Sequence, residues 1–308
     1  MVKINQERLN GVWSATPTPF TDSMKIDTVA VRRMVEHHLR LGVKGLFLGG
    51  TCGEGAWMTN EQRRTLVRTT AKYSDGRLLL AVQVTDNSAP RILDNIQMAK
   101  EEGADIAVIA PPYFHANPTP ENIAGVYIDA IQKSSLPIGI YDRGVNSQVP
   151  VPNEILKNIY AEQKVILVKD SSCDPEHMKI ALDARQSRPE LRLLNGYEWD
   201  CVTYLKAGYD GLLLGGGIFN GHLAAMIIDA VKTGNIAEAE RLQNRMNQLM
   251  WDVYGGKQIT CWLTGLKQFL VEMKIFRTNK GYLNYPLTAS CKKTIAAALE
   301  READILLP

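Results

Sequence analysis

The feature that most constrains this chain is a repeat of pattern. Apolar runs of four to six residues alternate with longer stretches of helical period, and the alternation recurs eight times. The runs predict strands over residues 11–15, 45–48, 78–82, 106–109, 137–141, 165–169, 191–194 and 211–214, lengths that suit strands rather than helices. The stretches between them predict helices over 28–41, 60–73, 89–102, 120–133, 152–160, 175–185, 200–207 and 222–233. Thr59, Thr119-Pro120 and Asp174-Pro175 are helix starts, and Gly42, Gly103, Gly208 and Gly234 are helix stops.

Each unit has about the 30-residue length of a βα step. Val165-Ile166-Leu167-Val168 is apolar on both faces, as a parallel strand covered by helices must be. Eight such units close into a (β/α)8 barrel, the TIM barrel. The rival, an open doubly wound sheet, usually stops at about five to seven strands. The predicted fold class is therefore α/β, with a TIM-barrel catalytic domain over residues 1–233. Residues 234–308 show helical pattern only, over 237–254, 258–273 and 288–302, and form a C-terminal helical extension.

Composition narrows the function. With 308 residues, 45% hydrophobic and 22% charged, the chain can bury a sizeable core and is not disordered. Its 35 Lys+Arg against 33 Asp+Glu are scattered, so no footprint for nucleic acid and no polybasic membrane anchor is present. No apolar run approaches the ~18 residues of a membrane span. Met1-Val2-Lys3-Ile4-Asn5 lacks the apolar core of a secretory signal. The five cysteines form no CxxC pair and the five histidines are dispersed. A metal site is not expected, and a reducing cytoplasm is.

Barrel active sites lie at the C-terminal ends of the strands. There, Lys169 follows the apolar Val165–Val168 stretch at the mouth of the barrel. Burial disfavours a charged ammonium, and a neutral amine is the nucleophile that makes a Schiff base with a carbonyl. The plainer reading pairs Lys169 with Asp170. Tyr141 ends the neighbouring strand, where its hydroxyl can exchange a proton beside Lys169 or simply pack. Residues 49–55 hold four glycines in seven positions, a loop whose backbone N–H groups at Gly50 and Cys52 can turn toward an anion. Gly217, in the run Gly215-Gly216-Gly217, leaves room for a substrate or for close packing.

These pieces together resemble the dihydrodipicolinate synthase / N-acetylneuraminate lyase family of class I aldolases. The resemblance runs from Gly11-Val12-Trp13-Ser14-Ala15-Thr16-Pro17-Thr18-Pro19-Phe20 through Gly50-Thr51-Cys52-Gly53-Glu54, Gly103-Ala104-Asp105 and Pro112-Tyr113-Phe114 to Tyr141 and Val168-Lys169-Asp170-Ser171-Ser172. Gly265-Leu266-Lys267 matches a turn of the family's C-terminal region. The resemblance implies an imine between Lys169 and the keto carbon of pyruvate or another 2-oxo acid. It also implies proton transfer by Tyr141, a hydrogen bond from Thr51 to that tyrosine, and a carboxylate held by N–H groups around Cys52. Neither a metal nor an organic cofactor is needed, because the iminium is itself the electron sink. A homotetramer built from two dimers is implied as well.

The departures bear on the substrate. Cys52 replaces a hydroxyl, Phe114 replaces a tyrosine of the synthases, and Asn146 stands where their arginine would be. Gly196-Tyr197-Glu198 is similar to the stretch by which sialic acid lyases hold a polyhydroxylated chain. The expected activity is thus lyase-like cleavage of a 4-hydroxy-2-oxo acid or a 2-keto-3-deoxy sugar acid. A dihydrodipicolinate synthase, a sugar-acid dehydratase using the same imine and a non-catalytic 2-oxo-acid sensor are the alternatives. Arg143, two residues past Tyr141, either grips a distal carboxylate or pairs with Asp142 or Glu198 at the surface. In the second case Glu198 and Ser171 would hold the substrate's far end.

Overall fold

The structure is a computed structural model that describes residues 4–306. Eight parallel strands close into a barrel in chain order: β1 (Gly11–Ala15), β2 (Gly45–Leu48), β3 (Leu79–Gln83), β4 (Ile106–Ile109), β5 (Ile138–Asp142), β6 (Val165–Asp170), β7 (Arg192–Asn195) and β8 (Gly211–Leu214), with β8 pairing back onto β1. Each strand is followed by a helix: α1 (Thr28–Leu41), α2 (Asn60–Ser74), α3 (Ala89–Glu101), α4 (Pro120–Lys133), α5 (Asn153–Ala161), α6 (Pro175–Ser187), α7 (Cys201–Ala207) and α8 (Gly217–Lys232). The chain continues through α9 (Ile236–Tyr254), α10 (Trp262–Glu272), α11 (Ala289–Arg301) and α12 (Ala303–Leu306). The expected TIM barrel with C-terminal helices is therefore the fold. Among the described residues no helix is long and apolar enough to cross a membrane.

Strands β3, β5, β6 and β7 each run one residue beyond the apolar pattern, into Gln83, Asp142, Asp170 and Asn195. Those polar ends remain in the ladder because each side chain finds a partner, for example Tyr113 for Gln83 and the backbone around Tyr197 for Asn195. Two boundaries differ more. Helix α8 starts at Gly217, not at His222. A Cβ on Gly217 would lie 2.9 Å from Ser14 Cα, so the glycine lets the first turn of the helix press directly on β1. Helix α10 starts at Trp262, after Gly255, Gly256 and Ile259 unwind the backbone with positive φ. Gly265-Leu266-Lys267 lies inside α10 and is not a turn.

Inward residues such as Trp13, Phe47, Ala81, Val108 and Leu213 fill the barrel, while the residues between them pack against the helices. One irregularity positions the site. Ile138 is level with Val165, but Gly139 is level with Leu167, so Ile166 is an extra residue in β6. A one-residue offset reverses the inward–outward parity of everything after it. Leu167 and Lys169 consequently face the interior, and Tyr141 stands level with Lys169.

The C-terminal helices reach the loop after β2 through a buried ion pair. Lys267, 1% exposed, donates to Glu54, 0% exposed, and also to the Lys280 carbonyl at 3.0 Å. Glu54 Oε2 accepts the N–H groups of Tyr282 and Leu283 at 2.5 and 3.0 Å. Breaking such a pair from one side leaves a buried charge alone, which costs about 3–5 kcal/mol. Lys267→Met is expected to lose stability on that scale in urea denaturation, and the double variant with Glu54→Gln should recover a large part of it.

Candidate active site

Lys169 is the penultimate residue of β6, at the barrel mouth, and is 6% exposed. Its Nζ lies 4.1 Å from the Tyr141 ring centroid and 5.1 Å from that of Phe47. Among the described residues it forms no ion pair. Asp170, the carboxylate beside it in sequence, points to the helix layer. There Asp170 accepts from Tyr209 Oη at 2.6 Å, from Ser172 Oγ at 2.7 Å and from the Ser172 N–H at 2.9 Å. The plain pairing of Lys169 with Asp170 does not form, because strand parity sends the two side chains to opposite faces.

The Tyr141 ring meets Phe47 edge-on at 5.8 Å, and its Oη lies 3.5 Å from Thr51 Oγ1. Thr51 and Cys52 occupy the loop that Glu54 anchors. Their backbone N–H groups donate to no other residue among those described, which leaves them for an anion. The Cys52 thiol is buried, and burial pushes it up to about 12, so it is a thiol and not a thiolate at neutral pH.

Gly196 and Ser171 flank the lysine. A Cβ on Gly196 would fall 2.2 Å from Ser171 Oγ and 2.8 Å from Lys169 Cε, so only a glycine lets the lysine stem rise here. Ser171 Oγ is buried without a hydrogen-bond partner. Glu198 is already engaged: Oε2 accepts the Gly216 N–H at 2.7 Å and Oε1 accepts Tyr254 Oη at 3.2 Å. Burial pushes its carboxyl up. Gly217, expected to border the substrate, instead packs α8 against the β1 backbone.

A cavity of about 450 Å³ opens at this end of the barrel, with Gly50, Thr51, Gln83, Tyr113 and Arg143 in its wall. Thr51 joins this cavity to Tyr141 and, through that ring, to Lys169. A larger cavity of about 840 Å³ lies around Leu9, Lys164 and Ile166, at the opposite end of the strands and away from every residue above. Among the described residues no group of three or more His, Cys, Asp or Glu side chains could hold a metal ion.

Arg143 pairs with neither Asp142 nor Glu198. Asp142 is held instead by residues distant in sequence: its Oδ2 accepts from His177 Nδ1 at 2.7 Å and from Tyr160 Oη at 3.2 Å. Its Oδ1 accepts the Gly144 N–H at 2.9 Å, which sets the turn that follows Arg143. Sequence reasoning missed Gln83 and His177, and read Lys267 as part of a turn where it is the partner of Glu54. Gln83 had a usable signal, as the first polar residue after the apolar run of β3.

A closed parallel barrel with a buried lysine free of carboxylate partners at the mouth, a tyrosine at its side and a bare N–H loop opposite defines a lyase of the class I aldolase type. The model of the Dihydrodipicolinate synthetase family matches residues 8–297, and the chain belongs to that family. It is 27% identical over 303 residues to N-acetylneuraminate lyase 2 of Escherichia coli O6:H1, covering 98% of this chain and 93% of the relative. It is also 27% identical over 241 residues to 4-hydroxy-tetrahydrodipicolinate synthase of Protochlamydia amoebophila, covering 77% and 79% of the two chains. The dihydrodipicolinate synthase structure from Bacteroides thetaiotaomicron superposes with a TM-score of 0.86 at 25% identity, covering 95% of this chain and 98% of that one.

The Asp142 hydrogen bond holds the His177 imidazolium above its ordinary value of 6.5. A group raised in the folded state contributes its stability in full below the unfolded value and loses it as pH rises through the folded one. The melting temperature should therefore carry a decline that begins above pH 6.5. Thermal melts across pH are expected to show that decline flattened in His177→Gln.

Proposed function

We propose that the chain cleaves or forms a carbon–carbon bond between pyruvate and an aldehyde, acting on a 4-hydroxy-2-oxo acid or 2-keto-3-deoxy sugar acid. The observation that carries this reading is Lys169: buried, unpaired and level with Tyr141 at the mouth of the barrel. The similarity to an N-acetylneuraminate lyase along nearly the whole chain supports it.

The Lys169 amine adds to the C2 carbonyl, and loss of water leaves an iminium. The substrate's C1 carboxylate rests on the free N–H groups of Thr51 and Cys52. A base then takes the proton from the C4 hydroxyl, the C3–C4 bond breaks, and its electron pair flows into the iminium to give an enamine. The aldehyde departs. Protonation at C3 and hydrolysis release pyruvate and restore the amine. Tyr141, oriented by Thr51, is the group placed to move these protons. Residues 1–233 act as the catalytic domain in this scheme, and the helices of residues 234–308 secure its anion-binding loop through Lys267.

Incubation with pyruvate and borohydride is expected to leave one reduced pyruvyl adduct, on Lys169. Peptide mass spectrometry locates it, and folded protein with an unmodified Lys169 would refute the reading.

We further propose a cytoplasmic homotetramer of two dimers. Trp57, Phe114 and Val145 support it, because they are 48%, 72% and 79% exposed on the loops that follow β2, β4 and β5. Apolar exposure of this kind marks association surfaces. Sedimentation should give a species well above the 34.2 kDa monomer at micromolar protein.

A further inference from the structure

We propose that Arg143 selects substrates with a second carboxylate, so that the aldehyde half of the substrate is itself an acid. The inference rests on the imine chemistry at Lys169 and names the substrate class for it.

Three observations converge on the cavity of about 450 Å³. First, its wall among the described residues contains one charged side chain, Arg143, and no carboxylate. Second, Arg143 has no ion-pair partner among the described residues, and its neighbour Asp142 is fully committed to His177, Tyr160 and the Gly144 N–H. A guanidinium facing a cavity without a counter-charge is a site for an anion, and a carboxylate fits its fork with two parallel hydrogen bonds. Third, Gln83 and Ser147, 6% and 8% exposed, belong to the same wall, and Gln83 Oε1 and Ser147 Oγ lack hydrogen-bond partners. Buried polar atoms without partners call for a ligand or water to satisfy them. Their chemistry is that of hydroxyl recognition, Oε1 as acceptor and Oγ as donor or acceptor.

The wall then reads as a ligand. Gly50 and Thr51 belong to it beside the loop that takes the 2-oxo acid's carboxylate, Gln83 and Ser147 add an amide and a hydroxyl for hydroxyl groups, and Arg143 takes the second anion. One guanidinium balances one negative charge. A carboxylate supplies one, whereas a phosphate monoester carries about two at neutral pH. The class is therefore a hydroxylated 2-oxo diacid.

The test compares chain-matched 2-keto-3-deoxy acids of five and six carbons ending in a hydroxymethyl group, a carboxylate or a phosphate ester, with pyruvate release as the readout. Wild type is expected to favour the diacid over the monoacid by about tenfold or more in kcat/KM, the scale of a charge-assisted hydrogen bond. Arg143→Gln should bring that ratio close to one, and Arg143→Lys, which keeps the charge without the fork, should fall between. Trapping of pyruvate with borohydride is run on all three proteins, which shows that each is folded and can form the imine. Adducts on Lys169 with the same diacid preference in wild type and Arg143→Gln would overturn the role of Arg143 and leave the imine reading standing. A preference for the phosphate ester over the diacid would overturn the carboxylate. Absence of any adduct in wild type would overturn the imine reading itself, and this inference with it.

Discussion

Which way β6 faces depends on one residue. The strand is apolar through Val165–Val168, so either parity would bury its side chains acceptably, inside the barrel or under the helices. Hydrophobicity alone cannot choose. The extra residue at Ile166 chooses, and it delivers Lys169 to the interior at the level of Tyr141. With the opposite parity the barrel mouth would present Asp170, a carboxylate that cannot form an imine, and the amine would lie among the helices. The facing of the lysine is thus fixed by a one-residue backbone irregularity that is almost silent in the apolar pattern.

The same alternation divides labour at the strand ends. Inward side chains, Tyr141 and Lys169, are left without a carboxylate partner among the described residues. Outward ones, Asp142 and Asp170, are tied to Tyr160, His177, Ser172 and Tyr209. These buried networks are satisfied hydrogen bond by hydrogen bond, which is the condition under which polar groups rigidify a core rather than weaken it. Rigid outward anchors hold the inward pair in place without touching it, and Gly196 keeps the space above the lysine open.

The barrel was legible because eight short runs apolar on both faces admit few other arrangements. Lys169 and Tyr141 were legible because a polar residue at the end of such a run must face either a mouth or a partner. The rest was hidden for particular reasons. The strands outran their apolar pattern at Gln83, Asp142, Asp170 and Asn195, since the ladder continues wherever polar ends are satisfied by remote groups. Gly217 read as loop because glycine is a poor helix former, yet close packing against Ser14 outweighs that propensity. The freedom of Arg143 depends on His177, 35 residues away from the aspartate it occupies, and no local window contains both.

The Glu54–Lys267 pair spans 213 positions of sequence. A chain made from its N-terminus emerges with the acid long before the base, and for that interval the loop carrying Thr51 and Cys52 has no cation beneath it. Helix α10 and the segment around Tyr282 must be synthesised and docked before the loop acquires its final shape. The loop with the free N–H groups of Thr51 and Cys52, early in the sequence, is therefore among the last parts to mature, and a ribosome releasing the barrel strands alone would release them without that loop in its final shape.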